Sequence, residues 1–201
     1  MEYIFDEVNL AEYMAADKQV DFMHPAIDAK AKELLSGIPD EVGKAKAAYY
    51  FVRNEIRHSF DIGSERLIKN AAEALLYAEG TCHTKAMLLA ALLRHEGFAV
   101  GFAYQRIARK DVPDSGYFLH GMNVVFFHSI GKWVRLDARG GENNPADFSL
   151  TKEKLTYTVN PELDEIDFPT VFAGPLRSIV DAIEASSDLS DLMHRHLPTN
   201  L

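Results

Sequence analysis

The sequence predicts an α+β fold in which helices come first and a mainly antiparallel sheet follows. Two observations predict it: the hydrophobic pattern has a helical period in the first half, and it changes to a period of two after Gly97. The 201 residues, of which 47% are hydrophobic, suffice for one sizeable core. We therefore expect one domain over 1–201, with N-terminal helices over about 1–60, a core over about 61–141 and a C-terminal extension over about 142–201.

Three segments indicate helices. In HPAIDAKAKELLSG, Pro25 can begin a helix and Gly37 can end it, and PDEVGKAKAAYYFVRNEIRHSF has apolar residues at three- and four-residue steps. The third helix is expected to begin near Thr81 and to run to Gly97. Its apolar residues occupy nearly every face, which is typical of a central, buried helix.

The strands follow this helix. FAVGFAYQRIA alternates large and small residues, and the polar loop RKDVPDSG separates it from YFLHGMNVVFFHSIGKWVRLDA, which predicts two strands joined by a turn between His128 and Lys132. TKEKLTYTVN can add another strand, and PLRSIVDAIEASS predicts a closing helix. We expect the polar tail SDLSDLMHRHLPTN to be loosely held.

Charge and composition narrow the classes of function. The net charge is -9 and no dense basic run occurs, which argues against nucleic acid and anionic membranes as partners. No apolar stretch approaches the ~18 residues of a membrane span, and the first twenty residues lack the pattern of a secretion signal. A single cysteine cannot form an internal disulfide, so we expect a cytoplasmic protein.

The only cysteine, Cys82 in EGTCHT, stands at the polar start of the third predicted helix, whereas a structural cysteine usually lies inside apolar sequence. A helix N-terminus favours the thiolate. Gly80 lets the chain turn tightly into the helix, and the Cys82 N–H can donate to an oxyanion. This position indicates a nucleophile that needs an imidazole from elsewhere in the chain.

His120 and Asp137 are the candidate partners of Cys82. His120 begins an apolar strand after a polar loop, and Asp137 ends the next strand, where a carboxylate suits a role in orienting a histidine. The two face each other if the turn is centred on 128–129 and lie diagonally if it is centred on 129–130. A turn centred on 130–131, which Gly131 favours, would separate them by ~13 Å. We predict one of the first two registers.

Around these residues the sequence resembles the transglutaminase-like superfamily of papain-type thiol enzymes. The segments that carry the resemblance are EGTCHTKAMLLAALLRHEGFAV, HGMNVVFF, GKWVRLDARG and the preceding KAKAAYYFVRNEIRHS, which together span roughly 41–141. The resemblance implies a papain-like core, with a buried helix carrying Cys82 packed on an antiparallel sheet carrying His120 and Asp137. It also implies that Cys82 is the nucleophile, His120 the general base and acid, and Asp137 the residue that orients His120.

The implied reaction is thiol-dependent acyl transfer or hydrolysis at an amide of a protein or peptide, such as a glutamine side chain, without cofactor or metal. Water as acceptor makes a protease or amidase, and an amine makes a transglutaminase; the sequence does not choose between them. The sequence departs from the family pattern in two places, and the second, the lack of an evident oxyanion side chain, leaves a non-catalytic binding or scaffold module as the alternative. Gly121, Met122 and Asn123 follow the histidine where the family often has an aromatic and an acidic residue. Upstream of Cys82, only Asn70 and Tyr77 offer side-chain oxyanion donors, and neither is convincing.

The other histidines have simpler interpretations. We expect His83 at the surface or in the outer part of the site, and His58, His95 and His128 as solvated or capping residues. A metal site at Cys82 and His83 is not expected, because one thiolate and its neighbour cannot complete the coordination of a metal.

Overall fold

The computed structural model describes residues 2–110 and 116–201. The longer α-helices are α1 (Pro25–Leu35), α2 (Glu41–Glu55), α3 (Ala71–Tyr77), α4 (Cys82–His95) and α5 (Arg177–Ala185). The strands are β1 (Ile4–Phe5), β2 (Arg57–His58), β3 (Glu79–Gly80), β4 (Val100–Ala108), β5 (Tyr117–Phe127), β6 (Lys132–Leu136), β7 (Ile166–Asp167) and β8 (Thr170–Val171). Short helical turns occupy Leu10–Met14, Pro161–Leu163, Leu189–Asp191 and Leu192–His196. No helix in these described ranges is long and apolar enough to cross a membrane.

The main sheet is antiparallel and has the strand order β6-β5-β4-β7. Helix α4 packs against β4 and β5, and α1, α2 and α3 surround its other sides. Because neighbours cover it on all sides, every residue of α4 from His83 to Arg94 is buried, which explains its nearly uniform apolar sequence. The predicted α+β fold, with a central buried helix that carries the cysteine, is confirmed.

The helix and strand predictions are confirmed where the hydrophobic period is strong. Helix α1 begins at Pro25, and the ring nitrogen Nδ1 of the preceding His24 caps it by accepting from the Ala26 N–H at 3.2 Å. The turn between β5 and β6 follows the diagonal register, since Asn123 pairs with Leu136 and Val125 pairs with Val134. The predicted loop RKDVPDSG falls mainly on 111–115, outside the described residues.

Two predictions for the C-terminal part are wrong. TKEKLTYTVN forms no strand; the short strands lie further on, at β7 and β8. The tail is not loosely held, because Leu189 and Leu192 are buried and the Leu189 N–H donates to the Glu65 carbonyl at 3.1 Å. The polar residues of the tail lie on the outer side, while these two leucines contribute to the main core.

A second, two-stranded pairing leads into the site. Strands β2 and β3 are parallel, with Arg57 opposite Glu79 and His58 opposite Gly80. The Ser59 N–H donates to the Gly80 carbonyl at 3.0 Å. This pairing fixes the segment after α2 to the residues that immediately precede α4.

The chain that leaves β6 is held against the end of α2 by Gly140. Gly140 has a φ of +67°, and a Cβ there would overlap the Arg53 carbonyl oxygen. Gly131, in the turn before β6, has a similar φ of +61° but has open space around it. The two glycines therefore have similar positive φ angles and differ in close packing.

This difference gives a matched test. Gly131→Ala should lower the free energy of unfolding by about 1 kcal/mol, the cost of a left-handed conformation for alanine. Gly140→Ala should lower it by more than about 2 kcal/mol, because backbone must also move apart. Urea unfolding of the native chain and both variants measures the difference. Equal losses would contradict the close approach of Gly140 to α2.

Candidate active site

His120 and Asp137 form a buried pair. The His120 Nε2 lies 2.8 Å from the Asp137 Oδ2, and each residue is only 1% exposed. His120 lies in β5, and Asp137 directly follows β6, at the diagonal position that the turn register creates. The structure therefore brings together the two residues that the sequence placed 17 positions apart.

Further hydrogen bonds hold Asp137 in place. Its Oδ2 accepts from the Thr156 N–H at 2.8 Å, and its Oδ1 accepts from the Arg139 N–H at 3.1 Å. The backbone carbonyl of Asp137 accepts from the Tyr49 hydroxyl at 3.0 Å. The carboxylate is thus fixed in one orientation toward His120.

The pair favours a charged histidine. Burial by itself lowers the pKa of His120, but Asp137 and the adjacent Cys82 outweigh it and raise that pKa to about 10. Burial raises the pKa of Asp137, and the charge of His120 with the hydrogen bonds described above brings it below its ordinary value. Because the folded pKa of His120 is raised, its contribution to stability is complete below the ordinary value of about 6.5 and is lost as the pH rises toward 10.

Cys82 is the first residue of α4 and is partly buried. Burial opposes ionisation of its thiol, but His83, His120 and His58 together outweigh burial and hold the pKa of Cys82 well below that of an ordinary thiol. The N-cap residue Thr81 makes no side-chain hydrogen bond to the helix, so the first N–H groups of α4 have no competing side-chain cap. These features favour a Cys82 thiolate beside a His120 imidazolium.

Cys82 and His120 share a cavity of about 110 Å³. Some of its lining side chains are polar or ionisable, and the others, which make up its apolar wall, are aromatic or aliphatic. Its lining residues are His58, Phe60, Thr81, Cys82, His83, Phe118, Leu119, His120, Arg139, Tyr157, Leu192, Met193 and Leu197.

Segments that the sequence did not connect with the site contribute to this cavity. The Tyr157 ring meets the His120 ring edge to face, with centroids 5.0 Å apart. Three lining residues come from the C-terminal tail, and the Arg109 guanidinium donates to the Met193 carbonyl there at 3.1 Å. The apolar wall of the cavity is therefore built largely by the region after Asp137.

His58 is not a solvated or capping residue. It is 6% exposed and lines the cavity. Its neighbour in the cavity, His83, is 4% exposed and not at the surface. Among the described residues, the Nδ1 of His58 and both ring nitrogens of His83 have no hydrogen-bond partner. In the sequence, the only sign that His83 belongs to the site is its position beside Cys82. The sequence gives no such sign for His58, because only the β2–β3 pairing brings it to the site.

The remaining candidates lie away from the cavity. Asn70 caps α3, where its Oδ1 accepts from the Glu73 N–H at 2.9 Å, and Tyr77 is 48% exposed beneath Arg66. Neither is placed to hold an oxyanion. His128 is exposed as expected, whereas His95 is partly buried and its Nε2 lies 3.0 Å from the Asp28 carboxylate. In the described part of the chain, no three His, Cys, Asp or Glu side chains are arranged to hold a metal ion.

Comparison with known proteins agrees with this architecture. The sequence profile of the transglutaminase-like superfamily matches residues 28–138, more than half of the chain. The chain belongs to this superfamily. The match begins in α1 and ends one residue after Asp137, so it includes α4, β5 and β6. The papain-like, transglutaminase-like core that the sequence predicted is confirmed.

A solved structure from Cytophaga hutchinsonii, named as a "Putative Cysteine Protease", is similar to this superfamily member with a TM-score of 0.53 and 16% sequence identity. The alignment covers 66% of this chain and 43% of that one, so the chain spans less than half the length of its structural relative. At this identity the similarity shows the fold alone. No curated protein matches the sequence.

The electrostatics of the pair can be tested by histidine NMR titration. In the native chain, the His120 ring should stay protonated through neutral pH and titrate near 10. Asp137→Asn should bring its pKa down toward the ordinary value of about 6.5 or lower, because Asp137 is the strongest raising influence. Cys82→Ser should lower the pKa of His120 by less than Asp137→Asn does. A larger decrease in Cys82→Ser than in Asp137→Asn would mean that the sulfur, rather than the carboxylate, sets the charge of His120.

Proposed function

We propose that this protein is a cysteine-dependent enzyme that transfers or hydrolyses acyl groups at amide bonds, with Cys82 as nucleophile, His120 as general base and acid, and Asp137 as the residue that orients His120. One observation carries the proposal: Cys82, at the start of a buried helix, faces the same cavity as a histidine that a buried carboxylate holds. Membership of the superfamily and the fold of its structural relative support a cysteine-type enzyme as a class.

The reaction begins when the Cys82 thiolate attacks the amide carbon and the carbonyl electrons move to oxygen, where the Cys82 N–H stabilises the oxyanion. When the C–N bond breaks, His120 gives its proton to the departing amine, leaving a thioester on Cys82 and a neutral imidazole. His120 then takes a proton from the incoming water or amine as that molecule attacks the thioester carbon. The thiolate leaves, which restores the starting ion pair.

The substrate we propose is an amide of a protein or peptide, either in the backbone or in a glutamine side chain. The aromatic and aliphatic wall of the cavity supports an apolar group beside that amide. With water as acceptor the enzyme is a protease or amidase, and with an amine it is a transglutaminase. A dilute primary amine distinguishes the two, because a transglutaminase forms mainly the amide of that amine whereas a protease or amidase releases mainly the free acid. The reaction needs a reduced Cys82, so we propose a cytoplasmic location.

The rate of iodoacetamide alkylation against pH tests the proposed nucleophile, and Cys82 is the only thiol that can react. We expect the native chain to react rapidly well below pH ~8.5, the ordinary thiol pKa, because the imidazoles hold the pKa of Cys82 down. His120→Gln should lose part of this low-pH reactivity, because one of the three imidazoles that lower the pKa of Cys82 is removed. We expect its profile to move toward that of an ordinary thiol.

Two controls keep this experiment decisive. His120→Gln is preferable to His120→Ala because it keeps a polar side chain beside the buried Asp137 carboxylate. His128→Gln changes an exposed histidine outside the cavity and should leave the profile unchanged. An ordinary thiol profile in the folded native chain would contradict the proposal and would leave a binding or scaffold role.

A further inference from the structure

Buried polar atoms without partners are concentrated around one cavity. In the described part of the chain, four such atoms belong to residues that line it: the Nδ1 of His58, the Oγ1 of Thr81 and both ring nitrogens of His83. Leaving a buried polar group unpaired is costly, so a native fold keeps such groups where a ligand or solvent can pair with them. The polar lining residues of this cavity therefore suit a ligand that accepts or donates hydrogen bonds.

His58 is the one of these residues that comes from outside α4 and its cap. Its backbone is fixed by the parallel pairing with Gly80, two residues before Cys82. The Arg57 N–H donates to the Ala78 carbonyl at 2.9 Å, and the Ser59 N–H donates to the Gly80 carbonyl at 3.0 Å, so both flanks of His58 are held. The same short ladder thus fixes His58 relative to the Cys82 N–H.

The nearest carboxylate to the His58 ring is already occupied. The Asp61 Oδ1 lies 3.7 Å from the His58 Nδ1, beyond hydrogen-bond distance. Both oxygens of Asp61 instead accept from the Arg139 guanidinium, at 2.6 and 2.7 Å. The His58 ring is therefore not paired with a carboxylate, and it lies beside Cys82 at the cavity, where it can meet a group that enters.

The charge state of His58 differs from that of His120. Burial lowers the pKa of His58, and the neighbouring Cys82 only partly opposes this, so its ring is neutral at physiological pH. A neutral imidazole carries one N–H donor and no net charge. It can hold a developing negative oxygen without competing with His120 as the proton donor.

We propose that His58 is a further catalytic residue, whose ring N–H donates to the oxyanion formed at the substrate carbonyl, together with the Cys82 N–H. The inference rests on the proposed function, since it needs an acyl carbon attacked by Cys82. It supplies the side-chain oxyanion donor that neither Asn70 nor Tyr77 provides. In the tetrahedral intermediate the oxygen carries the negative charge, and the donor loses no proton; the hydrogen bond is simply stronger there than in the bound substrate.

Two reagents that both react with the Cys82 sulfur test whether His58 is an oxyanion donor. p-Nitrophenyl acetate acylates Cys82 through a tetrahedral oxyanion and releases p-nitrophenolate, whereas iodoacetamide alkylates it by direct displacement of iodide, without an oxyanion. Both rates are measured across pH for the native chain and for His58→Leu and His58→Asn. Leucine and asparagine have nearly the same shape, and asparagine retains an amide donor near the position of the imidazole Nδ1. His128→Gln is the control for loss of an unrelated histidine.

We expect His58→Leu to lower the acylation rate about 10²-fold, as expected for loss of one oxyanion donor. Its alkylation rate, compared above the thiol pKa, should change less than about threefold, because displacement needs no oxyanion donor. His58→Asn should recover at least about tenfold of the lost acylation rate, since it restores an N–H donor.

Parallel losses of acylation and alkylation would overturn the inference, because His58 would then act only on the thiolate. Equal acylation rates in His58→Asn and His58→Leu would overturn it as well, by showing that the donor is immaterial. Failure of the proposed function has a different signature: the native chain itself would show an ordinary thiol profile with iodoacetamide and no p-nitrophenolate release above that of Cys82→Ser.

Discussion

The buried ion pair of His120 and Asp137 is the interaction on which the rest of this structure depends. Two ionisable groups lose their hydration there, which stabilises a protein only when each charge is paired and fully hydrogen-bonded. The backbone N–H groups of Arg139 and Thr156 donate to the carboxylate, and Tyr49 from α2 holds the backbone of Asp137 by donating to its carbonyl. The pair therefore fixes the positions of α2, the sheet and the C-terminal part relative to one another.

The same constraint explains the wrong prediction for TKEKLTYTVN. Its alternating residues suit a strand, but the Thr156 N–H donates to Asp137 and the Tyr157 ring contacts His120. A segment whose backbone donor is needed by a buried carboxylate cannot give that donor to a neighbouring strand. The prediction that the tail is loosely held is wrong because of its few apolar residues. They fill the core and the cavity wall, although the composition of the tail is mainly polar.

Local patterns predicted most of the fold and the central part of the candidate site. Helices α1 and α2 and strand β4 each have a hydrophobic period of their own, and α4 is recognisable by its nearly uniform apolar sequence. The turn between β5 and β6 restricts how His120 can meet Asp137. His58 could not be predicted in this way. It reaches the cavity through a two-residue parallel ladder between segments more than twenty positions apart, and such a ladder is too short to have a period.

Gly121 is one of the residues by which this chain departs from the family pattern after His120. It packs directly against one of the imidazoles that lower the pKa of Cys82. A Cβ at Gly121 would lie 2.7 Å from the Nδ1 of His83, closer than real side chains approach. The space that a side chain at 121 would need is thus occupied by His83, the residue with the largest single lowering influence on the pKa of Cys82. Gly121 and His83 are therefore coupled: the glycine makes room for an imidazole beside the sulfur, and any larger residue at 121 would displace it. The glycine at 121 is thus part of how the thiolate is stabilised in this chain.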